Sequence, residues 1–199
     1  MRPFFIPTSL SGMASRSRPL LHELPSQDEK GHWHAVIEAA QGSRNKLKYD
    51  PGLGALTLHA VLPLGASFPY DFGFVPSTQG DDGDPLDVLV FMDEAVPPGT
   101  VVPCRIVGVI EAEQKEKGGK PMRNDRLLAV AAKTQRYVHC KEVSDLAGNV
   151  LDEIERFFVF YNRQKDVVFK PLGRRGPAQA RKLLAQGQRL FRKNEKRKG

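Results

Sequence analysis

The chain has 199 residues, 40% of them hydrophobic and 27% charged, with two cysteines and a net charge of +7. This length suits one domain with a real core, the cysteine count excludes a disulfide-stapled scaffold, and no apolar run approaches a membrane span. The charge is uneven: residues 1–21 carry +3 and residues 189–199 carry +5, so the middle is −1 and the basic balance describes the ends.

The first residues, MRPFFIPTSLSGMASRSRPLL, have three arginines, several serines and no acid before Glu23. They read as a flexible leader, with a transit peptide or an upstream start before Met13 as the alternatives. The expected division is a leader at 1–28, a domain at 29–191 and a basic tail at 192–199. WHAVIE (33–38) reads as a strand. In RNKLKYD, Arg44, Lys46 and Lys48 recur at period two, so a strand puts all three on one face, either toward an anion or toward solvent. PGLG is turn chemistry, and ALTLHAVL closes a hairpin. FPYDFGFVP is aromatic and punctuated by Pro69 and Gly73. PLDVLVF, VVPCRIVGVIEAE and RLLAVAA read as strands, with a polar loop at 114–124. Cys104 and Cys140, both in strand contexts, read as reduced buried thiols of a cytoplasmic protein.

The pattern then turns helical. Leu146, Val150, Ile154, Phe157, Phe158 and Tyr161 share a helix face, with Ser144 or Asp145 as the N-cap. A Gly-Arg-Arg-Gly turn follows, then a second amphipathic helix opened by Pro177. The last residues are too charged to pack and should fray. Strands first and helices last predict an α+β, mainly β fold: a small OB-like closed β-barrel flanked by two C-terminal α-helices.

The densest chemical signal is GDDGDPLD (80–87). It lies in a stretch, Tyr49 to Cys104, that holds eight acids and no Lys or Arg. Asp82, Asp84 and Asp87 can converge, because Gly83 permits a tight backbone and Pro85 fixes the approach to the next strand. Clustered carboxylates are hard oxygen ligands suited to Mg²⁺ shared with phosphate oxygens. Ca²⁺ is the nearest rival, but the spacing is not that of an EF-hand loop. A solvated acidic turn is the other reading of these residues alone.

The hexapeptide DGDPLD resembles the signature of the soluble family I inorganic pyrophosphatases. The resemblance continues in order through VIEAAQGSRNKLKY, FPYDFGFVP, VPCRIVGVI, RLLAVAA and DLAGNVLDEIERFFVFYN, over roughly residues 30–190. It implies Mg²⁺-dependent hydrolysis of pyrophosphate to two phosphates by a metal-activated water. Carried over, Asp82 and Asp87 would ligate metal, Asp84 would be the general base, and Glu38 would help to order the metal's water. Lys46 and Tyr161 would contact phosphate. It also implies a homo-oligomer, a hexamer at this chain length; the absence of a long apolar run, rather than the resemblance, argues against a membrane partner.

This chain departs from the family pattern at several places. Lys48 stands where a Glu is usual, Ala60 where an Arg is expected, and Phe68 and Phe72 where tyrosines are. Asn124 takes the place of an Asp ligand, Arg126 that of a Lys, and Asn162 that of the Lys after the helix-end Tyr. An active divergent enzyme would recruit Lys48 and Arg126 for substrate, Asp125 for metal through a one-residue shift, and Arg163 or Lys165 for the lost Lys. The alternatives are a catalytically decayed barrel that binds metal and anions, and a nucleic-acid binder working through RKNEKRK. The acidic middle of the chain disfavours nucleic acid as a partner.

Overall fold

In the computed structural model, which describes residues 20–198, nine strands and two α-helices account for the fold. The strands are β1 (Trp33–Ala39), β2 (Asn45–Asp50), β3 (Ala55–Val61), β4 (Asp71–Phe74), β5 (Asp87–Phe91), β6 (Val101–Lys115), β7 (Met122–Arg123), β8 (Arg126–Ala131) and β9 (Val168–Arg175). The helices are α1 (Gly148–Arg163) and α2 (Pro177–Lys198).

β1 pairs with β4, β4 with β5, β5 with β8, β8 with β6, and β6 again with β1. The path returns on itself, so five strands form a ring with one parallel pair, β5 with β8. This is the expected OB-like closure, which removes the free sheet edges. The 15 residues of β6 make it possible: β6 meets β1 at its start, β8 in its middle, and β7 and β9 at its far end. β2 and β3 form a separate hairpin.

The continuous apolar runs of β5 and β8 follow from burial on both faces. Val88, Val90, Leu127 and Ala129 join a core that includes Ala180 and Leu184 of α2. Leu89, Phe91, Leu128 and Val130 join the opposite core, with Leu151, Ile154 and Phe158 of α1. Each helix therefore lays its apolar stripe on one side of the same strands.

Several expectations need correction. The Gly-Arg-Arg-Gly stretch is not a turn up to Gly176: Gly173, Arg174 and Arg175 end β9, which pairs with β6. Its charged residues are compatible with a strand because Arg174 reaches Asp152 (2.5 Å) and Glu155 (2.8 Å) on α1, while Arg175 reaches Glu111 (3.1 Å). The N-cap of α1 is Ala147, not Ser144 or Asp145. The Asp145 carboxylate instead accepts the N–H groups of Lys141 and Glu142, at 2.7 and 3.0 Å, and closes a separate 3₁₀ turn. Asp71–Phe74 forms a strand that the aromatic stretch did not announce. Both cysteines are buried and free, but Cys140 sits in a loop.

Specific contacts hold both ends of the described chain. Leu20, Leu21 and Leu24, assigned to the leader, pack against Val36, Tyr49 and Phe74. The transit-peptide and Met13 readings lie outside the described residues. α2 runs through the basic tail to Lys198, and the Asn194 amide donates to Gln79 Oε1 at 2.5 Å. Among the described residues no helix is long and apolar enough to cross a membrane.

Candidate active site

The aspartate turn is built from its backbone outward. Gly80 N–H donates to Asp84 O (2.8 Å), and Gly83, at φ +89°, donates to Gly80 O (3.2 Å). That left-handed conformation strains any residue with a Cβ, which is why a glycine separates the two aspartates. Asp84 N–H donates to Asp82 Oδ1 at 3.1 Å. The buried Thr78 hydroxyl closes the base of the turn, accepting Leu86 N–H (3.1 Å) and donating to Val75 O (2.6 Å). α2 holds the turn from behind: Gln79 N–H donates to Gly187 O at 3.1 Å, and a Cβ on Gly187 would stand 2.7 Å from Leu86 Cδ1.

In front of the turn lies a cavity of about 790 Å³. Its wall includes Glu38 from β1, Lys46 and Lys48 from β2, the three aspartates, Arg126 from β8 and Tyr161 from α1. Eight of the nine candidate residues thus share one cavity. Asp125 does not line it. The Asp125 Oδ1 accepts Ala112 N–H (2.8 Å) and, with Oδ2, the Arg123 guanidinium (2.8 and 2.9 Å). Its carboxylate lines a neighbouring cleft of about 260 Å³.

Within the cavity three carboxylates face a cation. Lys48 Nζ pairs with Asp84 at 2.8 Å, Arg126 Nη1 with Asp87 at 2.7 Å, and Lys46 Nζ with Glu38 at 3.7 Å. Asp82 has no ion pair among the described residues, and burial, with repulsion from Asp87 and Asp84, raises its pKa. Burial also raises Glu38, although Lys46 and the Tyr49 N–H (3.0 Å) oppose the shift. Lys46 is pushed down by desolvation, against the pull of Asp87 and Glu38. Partial desolvation pulls Lys48 down, but its bond to Asp84 prevails and its pKa is raised.

The departures from the family pattern have local consequences. Lys46 Nζ lies 4.1 Å from the centre of the Phe72 ring, so the ring face takes the place of a hydroxyl as its neighbour. Phe68 is buried against Phe72, Phe157 and Tyr161. Asn162 is buried and donates back to Phe158 O at 2.8 Å, which turns its amide away from an anion-binding role. Asn124 lines the cavity, where its amide carbonyl accepts from Arg126 Nη1 and its NH₂ donates to Gln114 Oε1 at 2.9 Å. Arg126 itself is buried, with Phe158 and Phe169 at 5.0 and 5.3 Å from its guanidinium carbon. Lys165 lines the cavity and Arg163 does not.

His59 also lines the cavity, although no sequence pattern marked it. Lys46 pairs with Ala60 and Leu47 with Leu58, so His59 is the unpaired residue of a β-bulge. A bulge re-aims a side chain, and nothing in the alternation of ALTLHAVL signals it.

The comparisons with known proteins agree on one family. The family model described as "Pyrophosphatase: Inorganic pyrophosphatase" matches residues 35–192. The inorganic pyrophosphatase of Nostoc is 39% identical over 171 residues, 86% of this chain and 98% of that protein. That of Synechocystis is 40% identical over 153 residues, 77% of this chain and 88% of that protein. The crystal structure of the Thermus thermophilus inorganic pyrophosphatase superposes with a TM-score of 0.78 at 35% identity, covering 87% of this chain and 99% of that one.

Proposed function

The chain belongs to the inorganic pyrophosphatase family, and from that premise we propose that it hydrolyses pyrophosphate to two phosphates with Mg²⁺ as cofactor. The observation that carries this reading is the single cavity in which the Asp82–Asp87 turn faces Lys46, Lys48, Arg126 and Tyr161.

The donors fit a hard divalent cation. They are carboxylate oxygens on one turn, and Asp82 has no cation of its own. Among the described residues no three acidic, His or Cys side chains stand ready-converged on an ion position, because Lys48 and Arg126 hold Asp84 and Asp87. Asp82 and Asp87 would hold Mg²⁺, with Glu38 behind them ordering its water. The bound ion supplies charge screening and Lewis acidity at the phosphoryl oxygens.

The chain's own residues do the rest. Asp84 accepts the proton of the attacking water, and its exposure lets that proton leave. Lys46, Lys48 and Arg126 steady the negative charge that builds on the departing phosphate. Tyr161, whose phenol burial pushes up to about 12, stays protonated and donates to a phosphoryl oxygen. Two buried free thiols support a cytoplasmic location, and the family resemblance supports a homo-oligomer, a hexamer. Light scattering on the eluted protein tests the assembly.

The test of function is phosphate release from pyrophosphate by the purified chain, with and without millimolar Mg²⁺, beside ATP as a competing phosphoanhydride. Fast, Mg²⁺-dependent release with pyrophosphate preferred supports the reading. No release from a chain that still binds Mg²⁺ overturns it, and leaves a barrel that has kept its ligands and lost its chemistry.

A further inference from the structure

Two of the three aspartates in the turn already face a cation that the chain itself supplies. Lys48 Nζ donates to both Asp84 oxygens, at 3.0 and 2.8 Å, and Arg126 Nη1 lies 2.7 Å from Asp87 Oδ2. Asp82 accepts the Asp84 N–H at 3.1 Å and has no ion pair among the described residues. The fold sets the Lys48 contact. Lys48 stands opposite Thr57 in the β2–β3 hairpin, and the Thr57 hydroxyl donates to Lys48 O at 3.2 Å. The hairpin thereby brings the ammonium to a turn 36 residues further along the chain.

The charges of the cavity also balance. Six acidic and six basic side chains line it, so with its two histidines neutral the wall carries no net charge before an ion enters. Lys48 is one of the departures from the family pattern, and an acid in its place would make the wall more negative by two charges. An exposed ion pair contributes little by itself, and here the side chains are 44% and 56% exposed. Lys48 therefore acts through its charge, which stays beside Asp84 even when the hydrogen bonds break. A fixed ammonium next to a carboxylate opposes a divalent ion there by direct repulsion. Asp82 has no ion pair to give up.

Resting on the proposed pyrophosphatase reading, we propose that Lys48 is a built-in cation that stands in for a metal ion at Asp84, so that the substrate-free chain takes a single Mg²⁺, on the Asp82 side of the turn. The ammonium supplies positive charge beside Asp84 without an ion having to be recruited there. It also leaves Asp84 able to hold a water, because an ionised carboxylate has about four acceptor positions and Lys48 engages one on each oxygen. Lys48 is thus a positioning residue for the turn: it sets how many ions the cavity takes and where they go.

The experiment is a calorimetric titration of the full chain with Mg²⁺ in phosphate-free buffer, with no pyrophosphate present. The wild-type chain and Lys48→Arg should each bind one Mg²⁺ per chain. Lys48→Glu should bind two. Lys48→Met should bind a second ion about tenfold or more tightly than the wild-type chain does, in line with the loss of one repelling charge at close range. Circular dichroism checks that each variant is folded, and the methionine variant keeps the test decisive if the glutamate variant is not. A wild-type chain that already binds two ions, a folded Lys48→Glu variant that still binds one, or a second site left unchanged in Lys48→Met overturns the proposal. Phosphate release from pyrophosphate is scored separately. A chain that hydrolyses pyrophosphate but takes two ions loses the built-in cation and keeps its function, and a chain that takes one ion and releases no phosphate does the reverse.

Discussion

Two clefts flank the Gly80–Asp87 turn, and both are ringed by charges of both signs. In the smaller one, Glu111 is held by Arg123 (3.3 Å) and Arg175 (3.1 Å), while Asp125 is held by Arg123 and by a backbone N–H. Those acids have several donors each and tie β6, β7 and β9 together. In the larger one, Asp84 and Glu38 each have one cation, Asp82 has none, and Lys165 has no acid. The number of charged groups therefore does not distinguish a working site from a structural one. What distinguishes them is whether the charges are already satisfied, because only incompletely matched groups can gain from a metal ion or a phosphate.

That contrast can be broken most severely at Asp84. Asp84→Asn should leave the fold intact and reduce turnover by roughly 10²–10⁴-fold, the usual worth of a general base. Phosphate release under saturating Mg²⁺ measures it, and near-normal turnover would remove Asp84 from the base role. Arg126→Met comes next. It leaves Asp87 without its cation and unstacks Phe158 and Phe169, and should cost about 3 kcal/mol, at the low end of what breaking a buried ion pair costs. Urea unfolding reads that loss.

Asp125→Ala sharpens the comparison from the other cleft. It should lower stability by about 1–3 kcal/mol, because the buried Ala112 N–H loses its acceptor and the exposed Arg123 guanidinium loses one of its two carboxylates. Mg²⁺ affinity should stay nearly unchanged, against the roughly 10–100-fold loss expected for a group that supports metal ligands. A large loss of Mg²⁺ affinity in calorimetry would move Asp125 into the site.

The smallest effect is a pH dependence far from either cleft. The Asp93 carboxylate accepts the N–H groups of Gln135 (2.7 Å) and Arg136 (2.8 Å), and these hold its pKa below the usual aspartate range. The folded pKa is depressed, so its contribution is complete above the unfolded aspartate pKa and is lost as pH falls through the lower folded value. Asp93→Asn should flatten the acid limb of the stability–pH curve, with a small loss of stability at neutral pH that vanishes at low pH where Asp93 is itself protonated; urea unfolding across the pH range reads it.

Much of this molecule was legible in its sequence, for reasons visible in particular residues. The β5 and β8 runs are apolar because cores lie on both faces, and the two helices declare one apolar stripe each. The glycine and proline around Asp82, Asp84 and Asp87 showed where the chain turns. Other features depended on partners distant in sequence. β9 contains Lys170, Pro171, Gly173 and two arginines, which locally read as a turn, and its strand character comes from β6 and from the acids of α1. Asp145 looked like a helix cap because its short-range chemistry is that of a cap, but it serves the preceding turn. Asp125 and Asn124 are adjacent, and no local pattern could say which carbonyl or carboxylate would face which cleft.

The docking of α2 on the aspartate turn has a consequence for how the chain comes into being. Gly187 accepts from Gln79 and packs on Leu86, and Asn194 binds the Gln79 side chain. The turn at 80–87 leaves the ribosome about a hundred residues before this support, a delay of roughly 5–20 s at ~5–20 residues per second. The carboxylate loop is thus made early and seated late, and the nascent chain carries its aspartates without their backing helix until about a hundred further residues have been made.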